Sequence, residues 1–228
     1  TQMFKHGASF SAALAKAQRL GYSELNPTAD IDGHDACRKV CILASLVTGR
    51  HISQDMVPAE GISGVTVEDV ENAGMLGCTI KLLGRTVFTE DGKVYAYVAP
   101  HLVKNTNMLS GVEDVMNGVV IKGNVVGEVM FYGPGAGKLP TASAVVADVI
   151  NAACDPNAGR TFAWGAPDAE TAGDPGELAS EWYIRVAGKP EDDNRALAGS
   201  ILIDKRDDKY AYRTGKMTAK ALHAAMEG

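Results

Sequence analysis

A chain of 228 residues has room for one large or two modest domains, and 46% apolar with 22% charged residues is the composition of a soluble globular protein. The net charge of −6 comes without any basic stripe, which argues against nucleic acid as a partner. No apolar run is long enough to span a bilayer, so no membrane association is expected.

The chain opens inside a helix, at Thr1-Gln2-Met3-Phe4, and so reads as a piece of a longer protein. Residues 9–20 read as the next helix, with Ser9 as N-cap and Gly21 at C′. A polar, Pro-containing loop runs on to Asp32, which is placed to cap a helix from about Gly33 to Thr48, closed by Gly49. Val40, Leu43, Ala44 and Val47 form its predicted buried stripe, with Lys39 at the edge. Thr66-Val67-Glu68-Asp69 opens a short capped helix ending near Gly74.

Strand signals follow. Residues 78–89 and 93–98 flank Glu90-Asp91-Gly92, and residues 119–121 and 125–132 flank Lys122-Gly123-Asn124, which predicts two hairpins. A glycine-rich loop leads into a helix from about Thr141 to Ala153. These elements predict an α+β fold, a largely antiparallel sheet covered by helices on one face, over residues 1–153. Residues 154–180 are crowded with Gly, Pro, Asp and Asn and read as a linker, with Phe162 and Trp164 packing part of it down. The tail, 181–228, reads strand (181–186), short helix (192–198), strand (200–206), strand (209–214), helix (218–226).

Cys37, Cys41, Cys78 and Cys154 fit no zinc or disulfide framework. His34, Cys37 and Cys41 share a helical face, but small cysteines packed in a core are the commoner outcome, so no metal is expected. A reducing, cytoplasmic location follows.

Two segments carry chemistry. The first is residues 21–39, where Glu24, Asp30, Asp32, Asp35 and Lys39 surround a loop-to-helix junction. Asp35 and Lys39 are four apart and share a helix face. An amine beside a carboxylate, with further carboxylates on the preceding loop, suits a small substrate that carries its own amine and needs a proton moved. The same residues also describe a well-capped helix with a surface ion pair. The second segment is Gly133-x-Gly135-x-Gly137 between a strand and a helix. It lacks the spacing of a Rossmann fingerprint, and Leu139 stands where a P-loop needs Ser or Thr. What remains is backbone that a ligand can approach and a helix N-terminus that favours negative charge or a polar amide.

Residues 21–39 resemble the substrate-binding signature of homoserine dehydrogenases, G-Y-x-E-x-D-P-x-x-D-x-x-G-x-D-x-x-x-K, at every position except Asn26. Residues 131–148, with Gly135-Ala136-Gly137 and Pro140-Thr141-Ala142, resemble the family's second signature. The resemblance covers about residues 1–153. It implies an NAD(P)-dependent oxidoreductase of amino-acid biosynthesis, on the route to threonine and methionine, acting between L-aspartate 4-semialdehyde and L-homoserine. It assigns Lys39 as general acid/base and Asp35 as the group that orients it and the reacting hydroxyl. Glu24 and Asp30 would hold the substrate amine, with Tyr22 adding a hydrogen bond nearby. Gly21, Gly137 and Gly135 would touch the nicotinamide end of NAD or NADP, whose main binding domain lies upstream in the family. The Asp35 carboxylate favours the charged amine, which suits aldehyde reduction. A homodimer is implied, and the tail resembles a shortened ACT domain. The rival from a different class is a non-catalytic amino-acid-sensing module.

Overall fold

In the computed structural model, residues 2–21, 23, 25–155, 165–167, 170–188 and 199–226 are described. Two helices open the chain, α1 (Gln2–His6) and α2 (Phe10–Arg19). The Ser9 hydroxyl accepts the Ala12 N–H at 3.3 Å, and Gly21 turns the chain at φ +73°. The loop expected up to Asp32 contains a further single turn, α3 (Thr28–Ile31). Asn26 starts it, its Oδ1 accepting from the Thr28 hydroxyl at 2.6 Å.

Helix α4 (His34–Thr48) follows, and here two expectations are corrected. Asp32 ends α3 instead of capping α4; the N-cap is Gly33, in the left-handed region at φ +79° with no side-chain cap. The buried face is Cys37, Val40, Cys41, Ala44 and Ser45, while Leu43 and Val47 are 46% and 69% exposed. The stripe is rotated because the two cysteines pack as small apolar residues. Cys37 and Cys41 join Ile52, Val57, Val94, Ala96 and Val98 in the core. Burial pushes both thiols up, that of Cys41 to about 12.

Helix α5 (Val67–Met75) begins with a capping box between Thr66 and Asp69. Strands β1 (Cys78–Phe88) and β2 (Val94–Lys104) pair antiparallel from Cys78↔Lys104 to Phe88↔Val94. The second strand thus runs six residues past its expected end, through Pro100; β2 pairs with no strand but β1 among the described residues, so the missing N–H is tolerated. Strands β3 (Met116–Gly123) and β4 (Gly127–Pro134) form the other hairpin, turned at residues 124–126, with Gly127 at φ +74°. Helix α6 (Lys138–Cys154) starts three residues before its expected beginning, with Pro140 in the first turn where a missing N–H is harmless.

After α6, Thr171 and Gly173 pair with Val94, lengthening β2's neighbourhood: Val94 N–H donates to the Thr171 carbonyl at 2.8 Å and Gly173 N–H to that of Val94 at 2.9 Å. Phe162 and Trp164 lie outside the described residues. In the tail, β5 (Ala179–Ser180) pairs with β9 (Met217–Thr218), a match the sequence did not announce. Strands β6 (Tyr183–Ala187), β7 (Ile201–Arg206) and β8 (Lys209–Arg213) form a sheet with β8 in the middle, and α7 (Ala219–Met226) closes the described chain. The helix expected at 192–198 lies outside the described residues. Among the described residues the fold is α+β, its strands paired antiparallel in four small sheets; α4 and α5 pack on β1 and α4 also on β2.

Candidate functional site

The site is built on the junction between α3 and α4. Lys39 lies on the solvent side of α4, opposite the Cys37–Val40–Cys41 face that anchors the helix to β1 and β2. Its ammonium meets the Asp35 carboxylate at 2.7 Å, as the four-residue spacing requires. The two side chains are 63% and 49% exposed. Lys39 thus lies away from the stripe edge expected for it, its head held by a carboxylate on its own face.

Two close backbone approaches fix α4. Gly33 has no room to spare: a Cβ there would meet Val98 Cγ1 at 3.0 Å. At Gly84 of β1 a Cβ would lie 2.3 Å from Val40 Cγ2. Helix and strand are thus in van der Waals contact directly beneath Lys39's neighbour.

Asp30 sits on α3, one short turn before α4, exposed, with its Oδ2 accepting from the Ser23 hydroxyl at 2.9 Å. Ser23 was not singled out from the sequence; a hydroxyl between two expected site residues was the available signal. Tyr22 and Glu24 lie outside the described residues. Asp30 and Ser23 border a cavity of about 490 Å³ whose other walls are largely hydrocarbon, from Phe10, Leu14, Leu20, Ile80 and Leu82. Asp35 and Lys39 do not line it. Lys81 reaches its edge, donating to the Val112 carbonyl at 2.5 Å, and burial lowers its pKa. Lys16, Glu113 and Asp114 line it as well, but the Asp35–Lys39 pair stands outside it, so the polar junction that holds that pair is taken as the candidate site.

The glycine loop is held elsewhere, at the end of β4 remote from the 124–126 turn. Gly135 is pressed on Asn117, where a Cβ would come within 2.1 Å of its amide nitrogen. Gly137 is the N-cap of α6 at φ +115°, without a side-chain cap. The first N–H groups of α6 are thereby left for an outside acceptor. Gly21 is exposed, with open space around its α-carbon. The structure joins Asp35 to Lys39 and Asp30 to Ser23, and keeps Gly135 and Gly137 on a separate loop.

The family model for homoserine dehydrogenase matches residues 1–150. A homoserine dehydrogenase of Helicobacter pylori is 47% identical over 153 residues, 67% of this chain and 36% of its own length. That of Neisseria gonorrhoeae is 39% identical over 212 residues, 90% of this chain and 48% of its own. The crystal structure of the Thiobacillus denitrificans homoserine dehydrogenase superposes with a TM-score of 0.84 at 33% identity, covering 99% of this chain and 56% of that one. A hyperthermophilic archaeal homoserine dehydrogenase in complex with NADPH superposes with a TM-score of 0.52 at 34% identity, over 65% of this chain and 41% of its own. The likeness therefore extends into the tail, beyond the 153 residues read from motifs. The chain spans about a third to a half of the length of these curated relatives.

Proposed function

The chain belongs to the homoserine dehydrogenase family, and from that membership we propose that it is the substrate-binding and catalytic part of an NAD(P)-dependent enzyme interconverting L-aspartate 4-semialdehyde and L-homoserine. The observation that carries the reading is the Asp35–Lys39 pair at 2.7 Å on a rigidly anchored helix, one turn beyond the Asp30 carboxylate. NAD or NADP, when bound, supplies or accepts the hydride. A hydride moved at carbon requires a proton moved at oxygen, and Lys39 is the acid that gives it or the base that takes it. Asp35 holds the Lys39 head in place and orients the reacting hydroxyl. Asp30, with Glu24 and Tyr22, binds the substrate's amine; the Ser23 hydroxyl fixes the carboxylate that does so.

The glycine loop fits one end of a dinucleotide. Gly137 presents open backbone and uncapped N–H groups at the start of α6, which suit a carboxamide or a phosphate oxygen. Gly21 and Gly135 would add backbone contacts. The tail is proposed to be an ACT-like unit of residues 181–228 after a 154–180 linker. Its support is the strand order: β6 and β7 both run antiparallel to β8 between them, so they are parallel to each other and need a crossover connection. The chain is also proposed to act as a homodimer in the cytoplasm; no helix among the described residues is long and apolar enough to cross a membrane.

The test is Lys39→Ala in the full-length protein. Loss of a general acid/base lowers kcat by about a hundredfold or more, with a much smaller change in substrate KM. Near-normal kcat would remove Lys39 from the chemistry and favour the amino-acid-sensing alternative.

A further inference from the structure

On the reading of Asp30 as an amine-binding carboxylate, we propose that Arg185 and Asp69 are positioning residues for it: the tail sheet clamps the N-terminus of α5 and thereby fixes the peptide that carries Asp30. Asp69 is 6% exposed and accepts four hydrogen bonds. Two come from its own capping box, the Thr66 N–H and hydroxyl, both at 2.8 Å. The other two come from β6: the Tyr183 hydroxyl at 2.7 Å and the Arg185 guanidinium at 2.6 Å. A capping box needs only the Thr66 N–H bond to Asp69 and its reciprocal, the Asp69 N–H donated to the Thr66 hydroxyl at 3.3 Å. Arg185 also donates to the Thr66 hydroxyl at 2.8 Å, so it grips both members of the box. Tyr183 in turn accepts from the Asn72 amide at 3.0 Å. Asn72 is 2% exposed, and its Oδ1 has no hydrogen-bond partner among the described residues. Arg206–Glu71 at 2.6 Å and Lys209–Glu68 at 3.3 Å extend the contact over exposed surface, where ion pairs contribute little.

The other end of the clamp reaches the site. The chain entering Thr66 bends back, Val65 N–H donating to the Ile62 carbonyl at 3.0 Å. Ile62 N–H donates to the Ile31 carbonyl at 2.8 Å. Gly61 is seated so closely on α3 that a Cβ would lie 2.3 Å from that same carbonyl and 2.6 Å from the Asp32 α-carbon. Asp30 is the residue before Ile31. Helix α3 has four residues, one turn, and a single turn does not hold its own orientation in water. The 61–65 segment therefore sets the direction of Asp30. Lys39 is insulated from this path, because α4 is anchored by its own core residues. Loosening the clamp should thus weaken amine binding and leave proton transfer intact.

Arg185 is the residue to change, since its side chain is one-third exposed and the variant should fold. In the full-length protein, Arg185→Ala should raise KM for homoserine about fivefold, with kcat and dinucleotide KM held within about twofold. Arg185→Lys should recover most of the loss, and adding Arg185→Ala to Asp30→Asn should cost no more than Asp30→Asn alone. Amide exchange at Ile62 should quicken in Arg185→Ala while the β1–β2 ladder keeps its protection. Unchanged homoserine KM in Arg185→Ala, beside a raised KM in Asp30→Asn, overturns the clamp, as does a fall in kcat equal to the rise in KM. An unchanged KM in Asp30→Asn itself overturns the amine-binding reading instead.

Discussion

Single residues in this chain divide into those whose role follows from spacing and those whose role follows from a neighbour far away in sequence. Asp35 and Lys39 belong to the first group: four positions on a helix bring them together whatever the rest of the fold does. Gly84 belongs to the second. In the sequence it is an unremarked glycine inside the strand, between Leu83 and Arg85. In the fold it is the point where β1 touches α4, with Val40 Cγ2 at 2.3 Å from any added Cβ. Gly84→Ala should destabilise the protein by about 1–3 kcal/mol, the range for an overpacked core contact. Because Val40 is the obstacle, Gly84→Ala with Val40→Ala should cost less than the sum of the two single changes. Chemical denaturation of the four proteins of that cycle decides it; additive losses would mean that helix and strand yield without strain. Lys39 precedes Val40, so Gly84→Ala should also lower activity more than its stability loss alone explains.

At the scale of elements, capping chemistry, Asp32 apart, was the readable part and long-range polar pairing was not. Ser9, Gly21, Thr66-Asp69 and Gly49 set helix ends within a residue or two of where they were expected, because caps are local hydrogen bonds. The buried stripe of α4 was misplaced because Val40, Leu43, Ala44 and Val47 were weighed by size, whereas the face that packs is centred on the smaller Cys37, Val40, Cys41 and Ala44. The union of α5 with the tail sheet could not be read at all, since Asp69 and Arg185 lie more than a hundred positions apart and neither segment names the other. That union has a pH signature. Burial alone would raise the Asp69 pKa, but the Thr66 N–H, the Tyr183 and Thr66 hydroxyls and Arg185 outweigh it and hold the carboxyl below its ordinary 3.8. Tyr183, pushed up to about 12 chiefly by burial, remains a donor over the whole working range. A carboxylate with a lowered folded pKa adds stability above its unfolded pKa and loses it as pH falls through the folded one. Stability from this contact should therefore be flat above about pH 5 and fall progressively below it. Asp69→Asn should lower the melting temperature at neutral pH and remove this contribution to the acid-limb slope. An unchanged acid limb in Asp69→Asn would show that other carboxylates govern it.

The whole molecule carries apolar surface that no described element covers, and this decides what it does in solution. Cross-strand partners Val119 with Phe131 and Ile121 with Val129 place four side chains on one face of the β3–β4 hairpin. Their exposures run from 36% at Val129 to 62% at Phe131. The opposite pair, Val120 with Met130, is half-buried, so the hairpin already has its inner face and the outer one is left over. Helix α6 has no buried residue and adds Val145, Val146, Val149 and Ile150, each more than half exposed. Patches of this kind mark association surfaces. A hairpin isolated from other strands is marginal in water, which gives β3–β4 a further reason to find a partner. In the homodimer proposed above, the hairpin face is the expected contact, since one patch meeting its copy closes under two-fold symmetry. Two expectations follow, and they separate the surfaces. In light scattering the 228-residue chain should have twice its 24.0 kDa mass. Phe131→Asp should return it to one copy, whereas Val149→Asp should not; a wild-type chain of single mass would contradict the assignment. The same chain, dimeric or not, should show no semialdehyde-dependent oxidation of NADPH. Gly21, Gly135 and Gly137 are proposed to contact only one end of a dinucleotide, and so few contacts cannot offset the cost of immobilising so flexible a ligand within reach of the substrate carbon. Turnover by the isolated chain would place the cofactor site within these 228 residues.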